Sequence, residues 1–299
     1  MSAAGEIGRL EKVAFDSMSD STLTLLAIAD LHYTGLSRKE AQPASCRGEL
    51  ARVLLKKVFA RLEYEGVKPD ATIMLGDFVE DGTDPNAELD LISIHGELTR
   101  SGIPFLALPG NHDGPADAFN ARFATPPGLY KFGGYGFVVL DDSYADNHET
   151  SRSVESFAML KQIRKDNPEL PLVVLQHAPV YPAIDSHYPY RILNAAEIMD
   201  SFKKNGVVLS LSGHYHKGQK ARLHDDVMYH TVPSLSEAPF RFSIIRIQRG
   251  KIEIEEQSLE MSGWTLMDCH CHTENAFCGT TADTAPVIAL SKAMGISTL

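Results

Sequence analysis

The chain has 299 residues, 43% of them hydrophobic, with 39 acidic against 28 basic side chains and a formal net charge of −11. That length and apolar content allow one large domain with a substantial core, and the negative charge gives no global field to steer the chain towards nucleic acid or an anionic membrane. Residues 1–21 are mixed polar and charged, no later run reaches bilayer length, and the four cysteines, Cys46, Cys269, Cys271 and Cys278, do not space out into a disulfide framework. A cytoplasmic protein is the expectation.

Behind a lead-in at 1–21, residues 23–29 form a short apolar run that reads as a buried strand. It breaks off at Asp30-Leu31-His32. Residues 47–65 put Leu50, Val53, Leu54, Val58 and Leu62 on one helical face, with Gly66 as the stop. The run 71–75 ends in Gly76-Asp77, and a helix is expected over 86–100, closed by Gly102. The run 103–108 leads into Gly110-Asn111-His112-Asp113. Residues 128–132 and 137–140 read as an antiparallel pair joined through Gly133-Gly134. A helix over 152–165 stops at Asn167-Pro168, and the run 172–175 leads to His177. A helix over 194–204 stops at Asn205-Gly206, and the run 207–211 leads to Gly213-His214-Tyr215-His216. From there the pattern is strands alone, at 219–223, 227–231, 240–248 and 251–257, with Arg249-Gly250 as a hairpin turn. The five runs that end in polar clusters are expected in a central sheet whose carboxyl ends converge, and a mixed sheet or two stacked sheets flanked by helices fits the order.

The clusters share a chemistry. Asp30 and His32 stand two positions apart, so in extended backbone both face one side and can grip one cation. Alone, that pair is a common coincidence. Asp77 follows a glycine that lets the backbone turn tightly, so its carboxylate can reach two metals; taken singly, such an aspartate is more often a cap or turn residue. The Asn111 amide oxygen can coordinate a cation without adding charge, while His112 can stay unligated and carry a proton, oriented by a carboxylate. His214 and His216 place two imidazoles on one side of an extended segment. His177 adds another nitrogen, although a lone histidine there is more often structural. All five clusters at strand ends in one chain point to an assembled metal site.

The ordered series Asp-x-His, Gly-Asp, Gly-Asn-His-Asp, His and Gly-His-x-His, from Asp30 to His216, resembles the calcineurin-like metallophosphoesterase superfamily over residues 22–259. The resemblance implies an α/β fold, the two-sheet α/β/β/α sandwich of that type, occupying residues 22–260. It implies two divalent metal ions, drawn from Mn, Fe, Zn, Ni or Co. One would be held by Asp30, His32, Asp77 and His216, the other by Asp77, Asn111, His177 and His214, with Asp77 bridging. His112 would be the unligated acid or transition-state contact, and Asp113 its orienting partner. Members with purple iron centres carry a Tyr shortly after the Gly-Asp aspartate; here Phe78, Val79 and Glu80 follow Asp77, which argues against that subclass. In such a centre two cations about 3.5–4 Å apart lower the pKa of a bridging water, and the resulting hydroxide attacks phosphorus in line.

The expected activity is hydrolysis of a small-molecule phosphoester, with a phosphodiester, such as a cyclic nucleotide, favoured. The alternatives are a phosphomonoester, a pyrophosphate-linked nucleotide, or a non-catalytic metal-binding scaffold. A scaffold should have lost the bridging carboxylate or the proton-carrying histidine, and Asp77 and His112 are both present. Residues 181–191 (Tyr-Pro-Ala-Ile-Asp-Ser-His-Tyr-Pro-Tyr-Arg) offer aromatic stacking, a histidine and a cation, and could wall the pocket. In the tail 261–299, Asp268-Cys269-His270-Cys271-His272 resembles the opening of a PHP-type phosphoesterase domain. Only the opening is present, so the tail is expected as a solvated segment with a short helix near 284–294 rather than an independent domain.

Overall fold

The computed structural model describes residues 22–35, 45–145, 149–188, 190–259, 266–267 and 296–298. In chain order the elements begin with β1 (Leu23–Ile28), α1 (Ala51–Tyr64), β2 (Ala71–Leu75), α2 (Ala87–Arg100), β3 (Phe105–Leu108), α3 (Ala116–Phe123), β4 (Gly128–Phe132) and β5 (Tyr135–Val139). They continue with β6 (Ser143–Tyr144), β7 (Thr150–Ser151), α4 (Val154–Asp166), β8 (Leu172–Leu175), α5 (Ala195–Lys204), β9 (Val207–Ser212), β10 (Gln219–His224), β11 (Val227–Thr231), β12 (Arg241–Gln248) and β13 (Lys251–Ser258).

The strands form two main sheets, ordered β13-β12-β1-β2-β3 and β10-β11-β9-β8-β5-β4. Within the first, β1, β2 and β3 run parallel and β12 and β13 close one edge antiparallel. Within the second, β5, β8, β9 and β11 run parallel, with β4 and β10 as antiparallel edges. The five runs that end in polar clusters therefore belong to two stacked sheets and not to one central sheet.

Side-chain alternation explains why each run is apolar throughout. From β1, Leu23, Leu25 and Ala27 enter the core between the sheets, where they meet Phe137, Val173, Leu175, Leu209 and Leu211. Leu26 and Ile28 point the other way, under Leu54, Leu55 and Val58 of α1, Ile94 of α2 and Phe119 of α3. From β8, Val173 and Leu175 face the inter-sheet core, while Leu172 and Val174 pack against Leu160 of α4 and Ile198 and Phe202 of α5. Strands covered on both faces lose the polar half of their alternation. The result is the α/β/β/α sandwich.

Three local differences have physical causes. The hairpin β4–β5 turns through Gly133 and Gly134 alone, both at positive φ (57° and 81°), so Phe132 pairs with Tyr135 and β5 begins two residues earlier than its apolar run suggests. The helix α3 was not anticipated: only Phe119 and Phe123, four positions apart, bury its apolar face. The ribbon β6–β7 is two residues per strand, too short to leave a period. The PHP-like motif and the expected helix near 284–294 lie outside the described residues. Among the described residues no helix is long and apolar enough to cross a membrane.

Candidate metal centre

Where the parallel strands end, the loops of both sheets are tied to one another. The Asp30, His32 and Tyr33 amides donate to Gly76 O, Asp77 O and Phe78 O at 2.9–3.1 Å, extending the β1–β2 ladder past the strands. In the other sheet Gly213 N donates to His177 O at 3.0 Å. Other contacts cross between the sheets. His177 Nδ1–H donates to Leu75 O (2.6 Å), the His214 amide donates to the Asp30 carboxylate (3.0 Å), and the Ser234 hydroxyl donates to Asp30 O (2.9 Å).

This lacing holds unusual backbone. Asp30, His32, Asp77 and His214 have φ of 54°, 46°, 53° and 67°, the left-handed region that side-chain-bearing residues seldom occupy. Extended-strand geometry therefore does not describe these motifs. His216 joins Asp30 and His32 in one group of candidate ligands, whereas His214 turns to Asp77 and His177 in another. The two imidazoles of Gly-His-x-His serve different clusters. A third group is His32, Asp77 and His112, so Asp77 stands in two of the three. Two glycines make the approach feasible: a side chain at Gly76 would collide with the His177 ring, and one at Gly110 with the Asp77 carboxylate.

The donor set fits cations. Asn111 Oδ1 and His214 Nε2 are buried without a hydrogen-bond partner among the described residues, a costly condition for polar atoms. His177 Nε2 faces Asp77 Oδ2 at 3.1 Å. On the other side, His32 Nε2 and His216 Nε2 face each other at 3.0 Å. Their Nδ1 atoms lie 2.9 Å from Glu80 Oε2 and from Glu237 Oε1. A carboxylate behind an imidazole fixes its tautomer and raises the basicity of the far nitrogen, the usual support of a metal-binding histidine.

The charges agree with this arrangement. Burial resists ionisation of Asp77, but His177 and His32 hold its pKa well below the usual carboxylate range. Burial pushes Asp30 up, partly countered by His216 and His177. Burial and the neighbouring His177 hold His214 well below its ordinary value, as a neutral nitrogen donor.

A model of the calcineurin-like phosphoesterases matches residues 23–218. The chain belongs to that family. A cAMP/cGMP dual specificity phosphodiesterase of Mycobacterium tuberculosis is 22% identical over 205 residues, covering 66% of this chain and 63% of that protein. The chain thus spans less than two thirds of that relative. Among solved structures, a dimetal phosphatase from Danio rerio aligns at a TM-score of 0.63 and 14% identity, covering 79% of this chain and 96% of that one. GAP50, the anchor in the inner membrane complex of Plasmodium, aligns at 0.55 and 14% identity, covering 91% and 95%. These two likenesses concern the fold.

His112 and Asp113 do not form the expected pair. The His112 ring donates from Nδ1 to Glu80 O (2.6 Å), and its amide donates to Asp77 Oδ1 (3.0 Å). Asp113 does not orient that ring. Its buried carboxylate accepts the amides of Phe78 (2.6 Å), Val79 (3.0 Å) and Gly110 (2.8 Å), because consecutive residues in a tight turn point apart. Burial and Asp77 push its pKa up to about 7 while those amides pull it down. Asp113 joins the Asp77 loop to the Gly-Asn-His-Asp loop.

Of the 181–191 segment, Tyr188 and Tyr190 reach the centre, with ring centroids 5.9 and 5.4 Å from that of His214. Tyr215 extends the wall at 5.1 Å from Tyr190. Tyr181 instead stacks on His224 at 4.5 Å, and His187 and Arg191 are exposed. Sequence reasoning missed Glu80 and Glu237 as supports. Glu80 entered only as a residue where an iron-binding Tyr is absent, and Glu237 carries no local signal.

Proposed function

We propose that the chain is a two-metal phosphoester hydrolase that favours phosphodiesters, with cyclic nucleotides as the leading substrate class. Asp30, His32, Asp77 and His216 would hold one divalent cation and Asp77, Asn111, His177 and His214 the other. The observation that carries the reading is that Asp77 groups with His177 and His214 on one side and with His32 on the other, while Asn111 Oδ1 and His214 Nε2 are buried without a hydrogen-bond partner among the described residues. Bound there, the cations supply Lewis acidity, activating water and neutralising phosphoryl oxygens.

The protein's own part is proton delivery and orientation. His112, fixed through Nδ1, keeps Nε2 for a proton that a departing oxygen can take. Burial works against its charged form, yet Asp77 and the Glu80 carbonyl outweigh burial and raise its pKa, so the ring favours the protonated state an acid needs. Glu80 and Glu237 hold the His32 and His216 rings in place. Tyr188, Tyr190 and Tyr215 offer flat faces beside His214, suited to a base or another planar group attached to the phosphorus. The distant likeness to a cAMP/cGMP phosphodiesterase supports the same class.

The deciding assay compares bis-(4-nitrophenyl) phosphate with 4-nitrophenyl phosphate, with added Mn and then EDTA, followed by cyclic AMP. Metal-dependent turnover of the diester above the monoester is expected. Preference for the monoester would move the protein to the phosphatase class, and absence of turnover with metals bound would favour a scaffold.

A further inference from the structure

Tyr144, the last residue of β6, carries a buried hydroxyl with no hydrogen-bond partner among the described residues. Its ring centroid lies 6.3 Å from that of His177 and 6.1 Å from that of His214, tilted about 60° to both. Buried tyrosine hydroxyls ordinarily find a partner, and a phenylalanine would fill the same space without the desolvation cost.

The surroundings hold this side chain in place. Arg152 clamps Asp142 through Nε (3.1 Å) and Nη2 (2.7 Å), and Nη2 also reaches Gln176 Oε1 at 2.7 Å. Gln176 directly precedes His177, so the Asp142–Arg152 pair anchors the start of the β6–β7 ribbon to the end of β8. The pair leaves Asp142 Oδ2 and Arg152 Nη1 buried and unpartnered as well. Two of these three orphaned atoms belong to an ion pair that neutralises itself. The Tyr144 hydroxyl is the neutral donor beside the histidines. A tyrosine hydroxyl ordinarily titrates at about 10, so near neutral pH it carries its proton.

A phenol that stays protonated is a poor cation ligand and a good hydrogen-bond donor to an anion. His177 and His214, its ring neighbours, form a candidate ligand group with Asp77, so anionic oxygens drawn to a cation there come to the same place. We infer that the Tyr144 hydroxyl is a further substrate contact, donating a hydrogen bond to a non-bridging phosphoryl oxygen on the His177/His214 side of the centre. The inference rests on the reading of the site as a phosphoester hydrolase. Charge on such an oxygen grows as the bond to phosphorus is remade, so the contact strengthens in the transition state and acts mainly on kcat.

The test is Tyr144→Phe in the full-length, Mn-loaded protein, with four readouts: metal content, Tm, steady-state kinetics on bis-(4-nitrophenyl) phosphate, and calorimetric binding of inorganic phosphate. The expected result is unchanged metal content, a Tm equal to or above wild type, kcat lower by roughly 10- to 100-fold with little change in KM, and phosphate binding weaker by about tenfold. Kinetics and phosphate affinity both within twofold of wild type would overturn the inference, as would a loss of activity that merely follows loss of metal. If the wild type binds phosphate but turns over no ester, the hydrolase reading fails on its own, and the phosphate arm still decides the role of Tyr144.

Discussion

Loading the centre with metal should release protons, and the size of the effect follows from two histidines. Burial alone would lower the pKa of His177, but Asp77 and Asp30 outweigh it and lift the group to about 10. For His216, burial is outweighed by the Glu237 hydrogen bond and by Asp30, which lift it to about 9. Both values are raised, so at pH 7 each ring carries an additional proton that a cation must displace. At about 1.4 kcal/mol per pH unit, the competition at pH 7 is worth ~4 kcal/mol at His177 and ~3 kcal/mol at His216. Metal affinity should therefore climb about tenfold per pH unit for each proton, levelling off near pH 9 for the His216 cluster and near pH 10 for the His177 cluster. The same carboxylate–imidazole pairs stabilise the metal-stripped protein with the corresponding sign. Their contribution is complete below about pH 6.5 and disappears as pH rises through 9 to 10. Titration calorimetry with Mn, repeated at pH 6, 7 and 8 in buffers of contrasting ionisation enthalpy, gives both affinity and proton count. About two protons released per pair of cations at pH 7 is the expected outcome. Affinity that is flat from pH 6 to 8, or release of fewer than about half a proton, would refute the charge assignment.

Asp77→Asn removes the carboxylate that faces His177 at 3.1 Å and His32 at 3.6 Å, and should abolish both metal occupancy, read by elemental analysis, and turnover. His112→Ala should keep its metals and lose roughly 10²–10⁴ in kcat; unaltered kcat would remove it from the chemistry. Asp113→Ala strands three amides and should cost ~3 kcal/mol in urea unfolding, while Asp113→Asn, which can still accept two of them, should cost about half that; a stability-neutral Asp113→Asn that shifts the pH–rate profile would restore the orienting role. Replacing Cys269, His270, Cys271 and His272 by Ser and Ala in the full chain should leave metal content unchanged, and a fall would assign metal to the tail.

Much of this candidate centre was legible because every strand that feeds it is buried on both faces and so reads as an unbroken apolar run ending in polar side chains. The division between sheets was not legible for the same reason: Leu172–Leu175 looks like Ala71–Leu75, since both sheets present one face to helices and the other to the shared core. Contacts close in sequence misled as often as they helped. Asp113 beside His112 suggested a pair, but the turn sends its carboxylate to backbone amides. Glu80 and Glu237 lie 48 and 21 positions from the histidines they support, at distances only the fold sets. The aromatic wall was half visible, because the turn after Tyr181 sends that ring to β10 while Tyr188 and Tyr190 swing back to His214.

The backbone of the candidate ligands indicates where the rigidity of the centre comes from. Four non-glycine residues at positive φ, at ~1–2 kcal/mol each, represent several kcal/mol of strain that relaxation would release. What prevents relaxation is a set of bonds made by each ligand loop to a different one: Asp30 to Gly76, His32 to Asp77, His214 to Asp30, and His177 to Leu75. No loop is held by its own strand alone. The ligand atoms are thus preorganised against one another, as a site needs when a fraction of an ångström changes its affinity. Such a cycle also couples its members, because removing the Asp30 carboxylate releases the His214 amide, and His214 sits in the cluster on the far side of Asp77. Substitutions at Asp30 and at His214 should consequently be non-additive in metal affinity, although the two residues belong to different clusters.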